Sequence, residues 1–162
     1  MSEHIAYILT GSNLGNRMDS LKRATDLIVN RGHVLLSASP VYETAPWGPV
    51  PQPAYLNQVL MIRTTLLPED LLHDLLELEK EMGRIRHEKM GPRIIDLDVL
   101  FYDSIAHHSD MLHIPHPLLH ERRFVLQPLF DLCPDYIHPV MKKSIKQLLL
   151  ECPDQLEVMP IR

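Results

Sequence analysis

The order in which hydrophobic spacing changes along the first hundred residues leaves this chain few folds. Residues 5–9 are nearly continuous apolar residues, as in a central strand. Gly11-Ser12-Asn13 reads as a turn and helix cap. Residues 17–30 then carry helical spacing through Leu21, Ala24, Leu27 and Ile28. Residues 34–42 read as extended chain, 45–54 as a proline-rich loop and 55–64 as a second long strand. Pro68 suits the first position of a helix, with Glu69 and Asp70 complementing its dipole and Leu71, Leu75, Leu78 and Met82 on its buried face. Residues 94–102 are apolar apart from two aspartates and read as another strand. The order strand, helix, strand, strand, helix, strand predicts an α+β fold, a ferredoxin-like βαββαβ antiparallel core. Helical stretches at 123–132 and 144–152 are expected to pack on the sheet as a C-terminal extension. All 162 residues are expected to form a single domain.

The chemistry concentrates in residues 83–102. Arg84, Arg86, Lys89 and Arg93 sit in a segment broken by Gly83 and Gly91-Pro92, expected to close over a ligand. Arginine grips phosphate oxygens through a planar fork. Asp96 and Asp98 follow, and two residues apart on a strand they share a face at roughly 7 Å spacing. That face is expected to continue as Leu100 and Tyr102. Two like charges at the lip of a covered face are costly unless a cation joins them. The pair alone has two readings: a site for Mg²⁺ or Mn²⁺, or the acidic half of an ion network with Arg84 or Arg93. The cationic segment beside it favours metal plus phosphate.

The net charge of −5 opposes a general nucleic-acid binder, so the local basic segment is expected to serve a small anion. Cys133 and Cys152 lie far apart without a CxxC pattern, which fits a reducing, cytoplasmic setting. The N-terminal MSEHIAYILTG reads as a strand and not a signal peptide, and no apolar segment approaches membrane-spanning length. Gly11 to Gly15 lacks the Gly-Lys-Ser/Thr ending of a P-loop and reads mainly as turn and cap. His107, His108, His113, His116 and His120 crowd one stretch, with no firm zinc spacing on a predicted helix. Most are expected to be surface residues. His116, held between Pro115 and Pro117 with Arg122 near, is a candidate anion donor. Trp47, Tyr55 and Phe124 lie in or beside loops, where a flat ligand can stack, and Asn57 shares a strand face with Tyr55.

GSNLG at 11–15, YETAPWGPVPQPAYLN at 42–57, ELEKEMGRIR at 77–86, GPRIIDLDVLFY at 91–102 and IPHPLLHERRFVLQPL at 114–129 together resemble the 6-hydroxymethyl-7,8-dihydropterin pyrophosphokinases. The resemblance implies pyrophosphoryl transfer from ATP to a pterin hydroxymethyl, a step of folate biosynthesis. It implies two Mg²⁺ ions on Asp96 and Asp98. It implies phosphate contacts from Arg84, Arg86, Lys89, Arg93, His116 and Arg122, with Arg84 and Arg93 also catalytic. It implies a pterin sandwiched by Tyr55 and Phe124, edged by Thr44 and Asn57 and lined by Ala45 and Trp47. Glu79 takes a supporting role. Met90, Lys89 and Pro117 depart from the pattern, bearing on how the loop closes. ATP and the pterin are the expected partners, with no nucleic acid or membrane, and the chain is expected to be a monomer. Two other classes would use the same residues: a nucleotide-binding module without chemistry, and a metal-dependent phosphodiesterase.

Overall fold

The computed structural model describes residues 2–46, 48, 49, 51–84 and 92–161. Its main sheet is antiparallel throughout. At its centre β1 (His4–Ser12) pairs with β4 (Tyr55–Thr64) on one side and β5 (Asp96–Tyr102) on the other. The far edge of β4 is shared by two short strands. β2 (Val34–Ala38) covers its C-terminal half and β3 (Tyr42–Thr44) its N-terminal residues. β8 (Val158–Pro160) then adds to β3. β6 (His107–His108) and β7 (His113–Ile114) form a separate two-stranded hairpin.

The continuous apolar run of β1 has a simple cause: both of its faces are covered. Ala6 and Ile8 point into a core built with α1 (Arg17–Asn30) and α2 (Pro68–Glu81). Tyr7 and Leu9 point into a second core with α3 (Arg123–Leu132) and α4 (Ile145–Glu151). The molecule is therefore a helix–sheet–helix sandwich with two cores. Both amphipathic helices of the first layer bury the expected faces, Leu21, Ala24 and Ile28 on α1 and Leu71, Leu75 and Leu78 on α2, with Met82 following.

Three expectations are corrected. Gly11 and Ser12 belong to β1, and the cap of α1 is Asn16, whose side chain accepts from the Asp19 N–H at 3.1 Å. The extended stretch 34–42 is two strands, interrupted where the Ser39 hydroxyl accepts the Val59 N–H. The face of Asp96 and Asp98 continues to Leu100 but not to Tyr102. A β-bulge shifts the register so that Ile8 opposes Val99 while Tyr7 opposes Phe101. That extra residue turns Phe101 into the second core and Tyr102 into the first. β8 and the β6–β7 hairpin were not anticipated, because strands of two or three residues carry no readable period.

Candidate functional site

The site lies where β5, β1 and β4 end together. Register places Asp96 opposite Gly11, and Gly11 opposite Asn57; one pleat along, Asp98 faces Leu9 and Leu9 faces Val59. Gly11 leaves room for the Asn57 side chain there. A Cβ on it would lie 2.9 Å from Asn57 Oδ1, so the buried Asn57 amide would have to shift from its place. The Asn57 amide instead donates through Nδ2 to Thr44 Oγ1 at 2.8 Å, both residues buried.

Asp96 is gripped by two arginines. Arg84 Nη1 donates to its Oδ1 at 3.1 Å and Arg93 Nη1 to its Oδ2 at 3.3 Å. Arg84 Nη1 also meets Glu79 Oε1 at 2.7 Å, and both of those side chains are almost fully buried. Glu79 reaches from α2 to the sheet, where its Oε2 accepts the Leu97 N–H at 2.8 Å, between the two aspartates. The ion network considered from sequence is thus formed at Asp96. Asp98 lies in a different field. Burial, then Asp96, then Glu79 hold its carboxyl well above the usual carboxylate range, outweighing Arg122 and Arg84. Two oxygen donors on one strand face, one of them destabilised as an anion, suit a hard divalent cation, which would relieve that cost. Among the described residues no group of three or more His, Cys, Asp or Glu side chains converges, so phosphate and water oxygens would complete such a shell.

A cavity of about 180 Å³ adjoins the aspartates. Thr44, Ala45, Gln52, Tyr55, Asn57 and Phe124 line its neutral side, while Arg93, Asp96, Asp98 and Arg122 form its charged end. Burial raises the Tyr55 phenol, which stays neutral. The Arg122 guanidinium sits 5.8 Å from the centre of the Phe124 ring. A second, larger cavity meets the first across Arg93, Asp96, Asp98 and Arg122 and extends over Glu79, Lys80 and Arg84 to Leu72, Leu76 and Met111. One cleft therefore has a flat polar-edged chamber, a charged waist and an apolar far end.

His116 lines neither cavity but lies close enough to this waist to interact with Arg122 and Asp96. Burial and then Arg122 push its pKa down to about 4, so it is neutral at pH 7. The Leu118 N–H points at its Nδ1 from 3.4 Å, which leaves the ring proton on Nε2 as a donor. Burial likewise lowers Arg122, the response of a cation removed from water.

Of the site residues expected from sequence, Thr44, Ala45, Tyr55, Asn57, Arg93, Asp96, Asp98, Arg122 and Phe124 line the first cavity. Arg84 lines the second, and His116 interacts electrostatically with Arg122 and Asp96. Trp47, Arg86 and Lys89, like Met90, lie outside the described residues. Sequence reasoning missed Gly11, Gln52, Leu72, Leu76 and above all Asn13. The Asn13 side chain is buried and joins two loops. Its Nδ2 donates to Gln52 Oε1 at 2.9 Å and to the Pro53 carbonyl at 3.0 Å, while its Oδ1 accepts the Arg93 N–H at 2.9 Å. Arg17 reinforces the same loop, donating to the Ala54 carbonyl and to Glu43. Leu72 and Leu76 did leave a signal. They are an i,i+4 apolar pair on α2 beside the Leu71, Leu75, Leu78 stripe, more than one core face requires.

The family model described as 7,8-dihydro-6-hydroxymethylpterin-pyrophosphokinase matches residues 7–134. A 2-amino-4-hydroxy-6-hydroxymethyldihydropteridine pyrophosphokinase of Synechocystis is 40% identical over 147 residues, covering 90% of this chain and 75% of that protein. The folic acid synthesis protein fol1 of Schizosaccharomyces pombe is 40% identical over 152 residues, covering 93% of this chain. The chain spans only 21% of the length of that relative. Its fold is similar to the crystal structure of wild-type Plasmodium falciparum HPPK-DHPS with SDX-DHP. The TM-score is 0.76 at 16% identity, over 93% of this chain and 44% of that one.

Proposed function

The chain belongs to the 7,8-dihydro-6-hydroxymethylpterin-pyrophosphokinase family, and from that premise we propose that it carries out the family's transfer. The β,γ-pyrophosphoryl group of ATP passes to the hydroxymethyl oxygen of 6-hydroxymethyl-7,8-dihydropterin, a bond forms from that oxygen to the β-phosphorus, and AMP leaves. One observation carries this reading. A neutral, aromatic and amide-edged chamber opens onto a cluster of arginines around two carboxylates, which in turn opens onto an apolar cleft. A heterocycle, a polyphosphate and a second base each find a matching chemistry in that order.

In this reading Tyr55 and Phe124 stack the pterin, with Ala45 and Trp47 lining the loop beside it. Asn57 presents Oδ1 to the heterocycle edge. Thr44, accepting from Asn57, turns its own hydroxyl proton toward the ligand. Asp96 and Asp98 would hold two Mg²⁺ ions, which would neutralise phosphate charge and acidify the attacking alcohol. Arg84 and Arg93 exchange Asp96 for phosphate oxygens and bear the charge that develops on the transferring group. His116, through Nε2–H, and Arg122 bind the polyphosphate, joined by Arg86 and Lys89. No side chain is needed as a dedicated base, because transfers of this kind rest on positioning and charge neutralisation. The same reading makes the core a ferredoxin-like unit of β2, β4, β1 and β5 with α1 and α2. It makes the protein a cytoplasmic monomer serving small-molecule substrates.

The test is AMP release from ATP and Mg²⁺ with and without 6-hydroxymethyl-7,8-dihydropterin. Pterin-dependent AMP is expected, lost when Mg²⁺ is chelated. AMP that ignores the pterin would place the chain with phosphodiesterases, and ATP binding without AMP would make it a binding module. For Arg84→Ala and Arg93→Ala, turnover should fall more than ATP affinity, since their contacts strengthen in the transition state.

A further inference from the structure

The five histidines of 107–120 are not all accounted for by the cleft. His108 and His113 face each other across the β6–β7 hairpin, directly paired in register. Ser109 and Leu112 close its turn, with the Ser109 N–H donating to the Leu112 carbonyl at 2.9 Å and the Leu112 N–H to Ser109 Oγ at 3.2 Å. In such a hairpin the next pair out is the non-hydrogen-bonded one, whose side chains approach closest. The two Nδ1 atoms stand 3.2 Å apart, with ring centroids 5.5 Å apart. Both side chains are exposed, so solutes reach them.

We propose that His108 and His113 form a two-imidazole site for a borderline divalent transition metal of the Zn²⁺, Ni²⁺ or Cu²⁺ class, separate from the carboxylate site for Mg²⁺. The distance decides this. Two nitrogens 3.2 Å apart, each about 2.0–2.1 Å from a common metal, subtend roughly 100° at it. That lies between square-planar and tetrahedral coordination, so the spacing already suits chelation and only the two rings need to turn. Without metal, one ring donates its Nδ1–H to the other. On binding, that proton moves to Nε2, both Nδ1 lone pairs face the metal, and both Nε2–H groups point outward. Imidazole nitrogen selects these metals over Mg²⁺, which prefers oxygen. Among the described residues no third ligand joins the pair, so this is an open site completed by water rather than a closed structural one.

The location gives binding a consequence. Met111, in the turn between the two strands, lines the apolar end of the second cavity. Beside the pair, His107 Nε2 lies 3.3 Å from Glu69 on α2. A metal across His108 and His113 pins the hairpin that carries Met111, and binding only the folded hairpin stabilises it by mass action.

The experiment is a Ni²⁺ titration of ¹⁵N-labelled protein in excess Mg²⁺, read by paramagnetic broadening, on the wild type, His108→Asn and His113→Asn. Substoichiometric Ni²⁺ is expected to broaden residues 107–114 first. Each single substitution should weaken that binding about a hundredfold, the loss expected when a chelate becomes a single anchor. Both side chains are exposed and outside the two cores, so the variants fold, and their spectra report it directly. Broadening that begins elsewhere, or a variant that titrates like the wild type, overturns the proposal.

Discussion

Asp96 and Asp98 are two residues apart and differ more than that spacing suggests. Asp96 is neutralised by Arg84 and Arg93. Asp98 is held above the ordinary carboxylate range by burial and by its acidic neighbours, so its charge costs the fold stability at neutral pH. Function and stability therefore oppose each other there. Asp98→Asn should lower turnover by about a thousandfold. Its thermal midpoint at pH 7.5 should stay the same or rise by a degree or two. A variant that keeps near-normal turnover would remove Asp98 from the metal set, and one that melts well below the wild type would show the charge to be stabilising. That the two carboxylates share a face was readable from the strand period. That one is paired and the other strained was not, because the sequence offers Arg84 and Arg93 to either carboxylate, and only the fold turns both onto Asp96 while setting Asp98 among buried acidic neighbours.

Two connections between elements hold the site in shape. Glu79 ties α2 to β5, with one oxygen on Arg84 and the other on the Leu97 N–H. Breaking a buried pair leaves an uncompensated charge, so Glu79→Ala should cost about 3 kcal/mol in urea unfolding. Glu79→Gln still accepts from Leu97 and should cost roughly half as much. An alanine variant within about 1 kcal/mol of the wild type would mean that Arg84 finds full compensation in Asp96. The second connection is Asn13, between the loop carrying Gln52 and the segment carrying Arg93. Its neighbours in sequence suggest only a turn. What makes it a bridge is that β1 delivers it between two loops forty and eighty residues away, and no local pattern records such distances. Leu72 and Leu76 were legible in principle, since a helix with apolar residues beyond one stripe has a second surface to face.

At the scale of the whole sandwich, burial keeps His116 and His138 neutral at pH 7. His116 has been described; His138 is pushed down to about 4 by burial and then by His120. Its Nδ1 accepts the Val140 and Met141 N–H groups at 3.2 and 3.0 Å, which a protonated Nδ1 cannot do, and its ring meets the edge of Phe101. Both folded values lie below the unfolded one of about 6.5. As pH falls the unfolded chain takes up these protons first, so stability drops between about 6.5 and 4 and levels off below. Asp98 acts in the opposite sense, because protonation in the folded state relieves its burial. The clean comparison is therefore made in the Asp98→Asn background. There the urea midpoint should fall from pH 7 to 4.5. His138→Asn, which keeps an acceptor for the two N–H groups, should remove about half of that fall. An unchanged acid slope would mean that His138 charges without cost in the folded protein.

The strand and helix spans came through from sequence wherever a period was long enough to read, as in α1, α3 and β4, whose bounds match the expected ones, and in α2, which starts at Pro68 as expected. The run 5–9 announced a central strand because it is nearly continuous in apolar side chains. The clustering of Arg84, Arg93, Asp96 and Asp98 was visible because those residues are neighbours along the chain. The structure alone decided which residues far apart in sequence meet: Gly11 beneath Asn57, Glu79 on the Leu97 N–H, Asn13 between two loops, His108 against His113. Each is a contact set by strand register or by a helix crossing a sheet. A one-residue shift such as the bulge at Leu100 redirects everything beyond it, so such contacts exist only once the chain is folded.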